Sequence, residues 1–365
     1  MSGKPHDVFL PRFALSVVPS DRSRLYFSAG AFAQYVPLQS VLVTSRELSP
    51  WYTSVFSART GPLSGHLLKP ERSTLFEAGY TVSSDNNVWT LALRAHHKRM
   101  TGLAQMAWED TISAQWLVFK NDGEATVQGL EVNLLLQPDR RFSAVLSYTL
   151  SSVRGTSTTA REPWGQLAIS NPTVLEEILS PLGYDQTHRG FLMLDIRFGR
   201  EDGAVLDGLR IAPIFSFHSG HRYTLEHEPT FLGASTVWLA GVRSLLDPRA
   251  VDPMELPNES STPWYFNADL RVEKTLLSEP VRAMIAVDVL NLFNRRHVIN
   301  VYPTSGTATD TWLASPIGDN FASIPGFADA YTTFNVQNRW AYMRATGNDI
   351  YGTPRQIRIG LVVEM

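Results

Sequence analysis

The chain has 365 residues, of which 44% are hydrophobic and 18% charged, with 32 Lys and Arg, 35 Asp and Glu and no cysteine. The charge difference, 32 − 35 = −3, gives no electrostatic reason to expect a nucleic-acid partner. The missing cysteines exclude disulfide scaffolds, thiolate zinc sites and cysteine nucleophiles, and the apolar fraction is too high for a disordered chain.

The N-terminal region lacks the pattern of a signal peptide. Its apolar run, 13–18, is short and ends at Pro19, whereas a signal peptide needs an apolar core of about 7–15 residues and a cleavage site of small residues. No stretch approaches the roughly 20 apolar residues of a spanning helix. A membrane span in this chain would therefore consist of β-strands.

Alternation of apolar and polar residues predicts eleven β-strands along the chain. We place them near 9–18, 23–34, 73–83, 88–99, 124–137, 141–154, 188–199, 206–219, 263–275, 281–293 and 354–365. Most of them are about 10–14 residues long, whereas globular strands peak near 5–6 residues and tilted membrane strands need about 9–11. The lengths therefore favour strands that cross a membrane.

Charged side chains are confined to one phase of this alternation. In the last strand, the odd positions from Ile357 to Met365 are apolar, whereas Arg358 and Glu364 lie on the other phase. On the apolar phase of the clearest strands, charges occur only just beyond strand ends, at Lys274 and Arg355. A lipid-facing Arg or Lys is costly, so we predict that the polar phase faces a lumen. The predicted lumen-facing residues are Asp195, Arg197, Arg210, Asp269, Arg271, Arg282, Asp288 and Arg358.

Short and long connections alternate between the predicted strands. The long connections are 35–72, 100–123, 155–187, 220–262 and 294–353. Long loops are uncommon in compact domains, but long extracellular loops opposite short periplasmic turns are typical of outer-membrane barrels. We therefore predict an all-β fold, an antiparallel transmembrane β-barrel. The predicted strand count is odd, whereas single-chain bacterial barrels have even counts, which suggests further strands upstream.

Six short segments, spread over nearly the whole chain, carry motifs that are also found in one family of proteins. They are Leu68-Lys69-Pro70-Glu71-Arg72-Ser73, Gly123-Glu124-Ala125-Thr126-Val127-Gln128-Gly129-Leu130-Glu131, Ser219-Gly220-His221-Arg222-Tyr223-Thr224, Asn267-Ala268-Asp269-Leu270-Arg271-Val272-Glu273-Lys274, Asn291-Leu292-Phe293-Asn294 and Gly352-Thr353-Pro354-Arg355. In this order and spacing, the chain resembles the C-terminal half of the β-barrel of TonB-dependent outer-membrane receptors. The third segment departs from the family pattern in having Arg222 where proline is usual.

The resemblance implies a barrel of about 22 strands whose lumen holds an N-terminal plug domain. In that family the plug contacts TonB, and a nutrient such as a siderophore, cobalamin, oligosaccharide or peptide is imported across the outer membrane. We expect residues 1–365 to be the C-terminal part of such a barrel, without the plug domain or a signal peptide. The expected partners are outer-membrane lipid, the plug, the TonB complex through that plug, and a small nutrient ligand.

Candidate ligand contacts are aromatic residues of the long connections, because binding residues concentrate on loops held by a rigid scaffold. These residues are Trp51, Tyr52, Trp164, Trp238, Trp312 and Tyr331. The same rings could instead pack the loops. The lumen-facing charges likewise have two interpretations, ion pairing within the wall and with the plug, or a surface for permeation.

Other chemistry is weakly supported by the sequence. His218, His221, Glu226, His227 and Glu228 lie close together, but their spacing matches no metal motif. No Gly-x-Ser-x-Gly elbow or phosphate-binding loop is present, so we expect no enzymatic activity, no metal site and no cofactor. Two alternatives remain open, a passive porin-like or structural outer-membrane barrel and a soluble all-β binding protein.

Overall fold

The protein forms one large antiparallel β-sheet. The computed structural model describes residues 8–36, 68–111, 114–159, 179–227, 242, 245, 252–277, 282–309, 312–314, 316–335 and 339–364. The long strands are β1 (Arg12–Ser20), β2 (Ser23–Gln34), β3 (Glu71–Ser83), β4 (Trp89–Thr111), β5 (Ala114–Leu136), β6 (Phe142–Gly155), β7 (His188–Arg197), β8 (Leu209–His218), β9 (Tyr265–Leu277), β10 (Arg282–Leu290) and β11 (Gln356–Glu364). The predicted eleven strands are thus confirmed.

Each long strand pairs with its neighbours in sequence, so the sheet is a continuous meander. A two-residue strand, Ser180–Pro181, adds to the edge of β6, and Arg222–Tyr223 pairs with Ser260–Ser261 in a separate small sheet. Within the described residues, β1 and β11 form the two open edges of the main sheet. Ten successive antiparallel pairings make these two edge strands run in the same direction.

The predicted long loop at 100–123 is wrong, because most of these residues extend β4 and β5. The two strands have 23 residues each and remain paired from Trp89↔Leu136 to Thr111↔Ala114. Regular alternation is interrupted there, because the register shifts between Thr101 and Leu103 and again before Gln105. A β-bulge inserts an extra residue, so it changes the phase of the side chains that follow.

The connection between β10 and β11 is folded rather than irregular throughout. It contains a 3-10 turn (Trp312–Ala314) and three short helices, α1 (Pro316–Ala322), α2 (Phe327–Asn335) and α3 (Trp340–Thr346). Gly347 ends α3 in a left-handed conformation, with φ of 72°. None of the helices in the described part of the chain is long and apolar enough to cross a membrane.

Close packing of an aromatic ring over a glycine fixes one point of the sheet. A Cβ atom on Gly190 would lie 2.8 Å from the ring of Phe217 and 2.9 Å from the backbone oxygen of Ser147. Gly360, in β11, has nothing within 4 Å of the equivalent position. Aromatic rings are known to cover strand glycines in this way.

We expect Gly190→Ala to lower the free energy of unfolding by about 1–3 kcal/mol, because the added methyl group overlaps a backbone atom that cannot rotate away. Gly360→Ala is the matched control and should change stability by less than about 0.5 kcal/mol. Urea unfolding of the membrane-reconstituted protein measures both. Equal stability of the two variants would contradict the close packing at Gly190.

Candidate functional site

Register assigns side chains to two faces of the sheet, because directly paired residues point to the same side. The face that carries Asp195, Arg210 and Glu273 is called the polar face below, and the face that carries Ile357 and Ile359 the apolar face. The pairs Arg210↔Glu273 and Asp288↔Arg358 follow this phase across β8 to β11. The apolar face presents exposed rings and aliphatic chains, including Ile359 at 76% exposure.

Arg210 is the centre of an ion-pair network on the polar face. Its Nε and Nη2 atoms donate to the two carboxylate oxygens of Asp195 at 2.8 and 3.0 Å, and its Nη1 donates to Glu273 at 2.9 Å. The side chains of Asp195 and Glu273 are only 10% and 11% exposed. Removal of Arg210 would therefore leave two nearly buried carboxylates without their shared cation.

Three further side chains extend this network across four strands. Arg197 donates to Asp195 at 2.8 Å, and Arg271 donates to Glu273 at 2.6 Å and to Asp288 at 3.1 Å. The remaining predicted lumen-facing residues lie outside the network. Asp269 accepts from the backbone N–H of Asn291 at 2.7 Å, Arg358 donates to Gln356 at 3.0 Å, and the side chain of Arg282 lies outside the described structure.

A second polar network, which the sequence interpretation missed, joins β2 to β5. The hydroxyl of Tyr26 donates to Glu77 at 2.9 Å, and Arg94 donates to that hydroxyl at 3.1 Å and lies 3.5 Å from Glu131. His96 lies on the same face, with its Nδ1 atom 4.0 Å from Glu131. These residues follow the polar phase of their strands, so the same alternation could have identified them.

Imidazole and phenol rings form a row where β8 and β9 meet their long connections. The ring centroids are 5.6 Å apart between His221 and His218, 4.7 Å between His218 and Tyr265, and 4.3 Å between Tyr265 and His297. Burial, together with the neighbouring His218, lowers the pKa of His221, and burial together with Arg295 lowers the pKa of His297. As the pH falls, His221 and His297 therefore become protonated at a lower pH than a solvated histidine does.

The histidines and carboxylates considered as metal ligands form no metal site among the residues that the structure describes. His218 and His221 contact one another, whereas Glu226 forms an isolated bridge with Pro253, and Glu228 lies outside the described residues. Across the described ranges, no group of three or more His, Asp or Glu side chains is arranged to hold a metal ion.

Two of the predicted ligand-contact aromatics are buried. Trp312 and Tyr331 are 0% and 1% exposed, and their ring centroids lie 5.3 Å apart. Phe321 packs against Trp312 at 5.7 Å, so these rings form the core of the helical connection. Fully buried rings offer no surface to a ligand, which favours the packing role at these two positions. The other four candidates, Trp51, Tyr52, Trp164 and Trp238, lie outside the described residues.

Asparagine side chains hold the segments that carry the sequence motifs to neighbouring parts of the chain. The amide of Asn121 donates to the backbone oxygens of Lys69 and Gly102 at 3.0 and 2.7 Å, and its oxygen accepts from the backbone N–H of Lys69 at 2.7 Å. Asn121 thus ties the first motif to β4, just before the second motif begins.

Asparagine side chains also join the Asn-Leu-Phe-Asn segment to the entry of β11. Asn291 donates to the backbone oxygen of Thr353 at 3.2 Å, and Asn294 accepts from the backbone N–H of Arg355 at 3.0 Å. The side chains of these asparagines therefore hold the two ends of the long connection together.

Comparisons with known proteins agree with this architecture. A family model described as "TonB dependent receptor-like, beta-barrel" matches residues 2–348. The structure is similar to that of the FpvAI–pyocin S2 complex, with a TM-score of 0.56 and 12% identity over 98% of this chain and 34% of that one. It is also similar to the ferripyoverdine receptor of the outer membrane of Pseudomonas aeruginosa, with a TM-score of 0.54 and 12% identity over 96% and 32% of the two chains.

The ferric citrate transporter FecA in its unliganded form gives a TM-score of 0.50 at 13% identity, over 97% of this chain and 38% of that one. This chain therefore spans about a third of the length of these solved structures. A comparison with curated proteins found no match. The family match over most of the sequence and the antiparallel meander agree, so the chain belongs to the TonB-dependent receptor β-barrel family of the Gram-negative outer membrane.

Proposed function

We propose that this chain is the C-terminal part of the barrel of a receptor that imports a small nutrient with energy delivered through TonB. Residues 1–365 would form one side of the barrel wall, and a plug domain would fill the lumen and contact TonB. The observation that carries the proposal is the eleven-strand meander whose polar face carries two ion-pair networks, in a chain of this family. We infer that this polar face lines the lumen.

The open edges of the sheet support a larger barrel. Lipid-exposed sheet edges do not occur within a membrane, so β1 and β11 need partners. Because these strands run in the same direction, pairing them with each other or with a second, equally oriented copy would produce a parallel seam. An odd number of additional strands closes the sheet with antiparallel pairing throughout, and eleven of them give the even total of 22.

Membership of the family implies four broad classes of ligand. A siderophore, cobalamin, an oligosaccharide or a peptide fits the proposal. Two solved relatives are described as a ferripyoverdine receptor and a ferric citrate transporter, which supports a chelated metal as the first class to test.

Ion conductance in planar bilayers tests the proposal without knowledge of the ligand. The protein is purified from the outer membranes of cells that produce it and reconstituted as it exists there. A plugged, TonB-energised receptor should show no steady conductance, whereas a passive porin-like barrel should conduct continuously. Steady conductance would therefore contradict the proposed function and favour the passive pore.

A further inference from the structure

A cavity of about 330 Å³ lies on the polar face, between the end of β2, the start of β3 and the middle of β4. Its lining includes Phe32, Ser73, Leu75, Lys98, Met100 and Leu103. Cavities that hold small ligands usually have a volume of about 300–1,000 Å³ and are mostly apolar, with a few polar groups that orient the ligand. This cavity meets both conditions.

The apolar side of the cavity depends on the β-bulge at Gly102. Register pairs Thr101 with Glu124 and Leu103 with Gly123, so one extra residue is inserted at Gly102. Its φ of +66° is one that glycine adopts without strain. Because of the inserted residue, Met100 and Leu103 lie on the same face, although regular alternation would separate them.

Hydrogen bonds hold this bulge in place from two sides. Asn121 binds the backbone oxygen of Gly102 at 2.7 Å, and Glu71 accepts from the backbone N–H of Ala104 at 2.9 Å. Glu71 also lines the cavity, and one of its carboxylate oxygens is thus engaged by the backbone. Hydrogen bonds to the backbone therefore hold this wall of the cavity, and its shape does not depend on the placement of one flexible side chain.

Positive charge dominates the surroundings of the cavity. Lys98 lines it and forms no ion pair with any residue in the described ranges. The guanidinium of Arg12 lies 4.6 Å from the centroid of the Phe32 ring, at the same end of the sheet. Glu71 is the one carboxylate among the described lining residues. An unpaired ammonium beside apolar walls is suited to a ligand that has both an anionic and an apolar part.

We propose that this cavity binds an organic anion, a carboxylate attached to an alkyl or aryl group, with the carboxylate at Lys98 and the apolar group against Leu75, Met100 and Leu103. The identification of this anion with the imported nutrient, or with part of it, rests on the proposed function. Binding itself does not, because every described lining residue belongs to β2, β3 or β4.

Fluorine NMR with three matched probes tests the site on the purified protein in detergent micelles. 4-Fluorobenzoate should bind, 4-fluorobenzyl alcohol should bind at least fivefold more weakly, and 4-fluorobenzylammonium should bind more weakly still. Lys98→Gln should reduce the affinity for 4-fluorobenzoate at least fivefold and leave that for the alcohol unchanged. Arg99→Gln is the matched control, since Arg99 pairs with Glu124 on the opposite face at 3.1 Å, and it should bind like the wild type.

A second variant separates this cavity from unspecific binding to the micelle. Ser73 lies between Phe32 and Met100 in the register of β2, β3 and β4, so Ser73→Phe should fill the cavity and abolish the binding of all three probes. Resistance of the unheated protein to SDS verifies that each variant is folded. Absence of 4-fluorobenzoate binding to the wild type, unchanged binding by Lys98→Gln, or persistent binding by folded Ser73→Phe would each overturn the proposal.

Failure of this proposal and failure of the proposed function give different results. Steady bilayer conductance together with Lys98-dependent binding would contradict TonB-energised import and leave the site intact. If the bilayer shows no steady conductance and probe binding does not depend on Lys98, the proposed import function stands and the proposed site is refuted.

Discussion

Ile359→Arg is expected to prevent stable assembly of the protein in the outer membrane. Ile359 lies near the middle of β11, pairs with Val287 and is 76% exposed on the apolar face. An arginine that faces lipid near the bilayer midplane costs about 2–4 kcal/mol, a large part of the stability of a protein domain. The fraction of protein in the outer membrane that resists SDS without heating measures the loss.

Arg358→Ala is the matched control, one residue away on the polar face. The hydrogen bond of Arg358 to Gln356 lies within its own strand, and an exposed polar contact of this kind contributes less than about 1 kcal/mol. We expect assembly close to that of the wild type. Equal loss in both variants would contradict the assignment of the two faces, and a folded, water-soluble Ile359→Arg protein would favour a soluble sheet.

Arg210→Met is expected to cause the largest loss of stability among substitutions on the polar face. Methionine replaces the methylene stem of Arg210, but Asp195 and Glu273 lose a cation that both of them share at 2.8–3.0 Å. Breaking a buried ion pair by removal of one partner costs about 3–5 kcal/mol, and we expect the lower end of this range because Arg197 and Arg271 still pair with the two carboxylates. Urea unfolding of the membrane-reconstituted protein should show this decrease.

Arg197→Met removes the same type of charge from the same network at lower cost. Arg197 is 59% exposed, and Asp195 keeps its two bonds to Arg210, so we expect a decrease below about 1 kcal/mol. The triple variant Arg210→Met, Asp195→Asn, Glu273→Gln should recover part of the stability that Arg210→Met loses, because the two nearly buried side chains no longer carry charges that have lost a shared cation. Similar losses for Arg210→Met and Arg197→Met would show that the network is fully hydrated.

The strands could be predicted from sequence because their signal is local. Each side chain on a strand takes the opposite face to its neighbour, so Ile357, Arg358 and Ile359 reveal their orientation without knowledge of any other strand. The same rule places Asp195 and Arg210 on one face. It fails after Gly102, where the bulge changes the phase, so alternation does not predict the extension of β4 and β5.

Features that depend on distant contacts could not be predicted in the same way. Asn121 and Lys69 are 52 positions apart, and nothing in the sequence around either residue indicates their reciprocal hydrogen bonds. The burial of Trp312 against Tyr331 likewise depends on how the helical connection folds. A loop aromatic has the same sequence signature whether it binds a ligand or packs the loop. Only its burial in the structure, as at Trp312 and Tyr331, favours one role over the other.

The pairing within the Arg210 network also determines how far its charges act. Three carboxylates and three guanidiniums cancel within a few ångströms, so the electric field of this wall is dipolar and falls steeply with distance. At physiological ionic strength the Debye length is about 8 Å, which removes most of the remaining field in a hydrated lumen. If the polar face lines the lumen as we propose, a passing anion would be attracted less by this network than by cations outside ion pairs, such as Lys98 and Arg358.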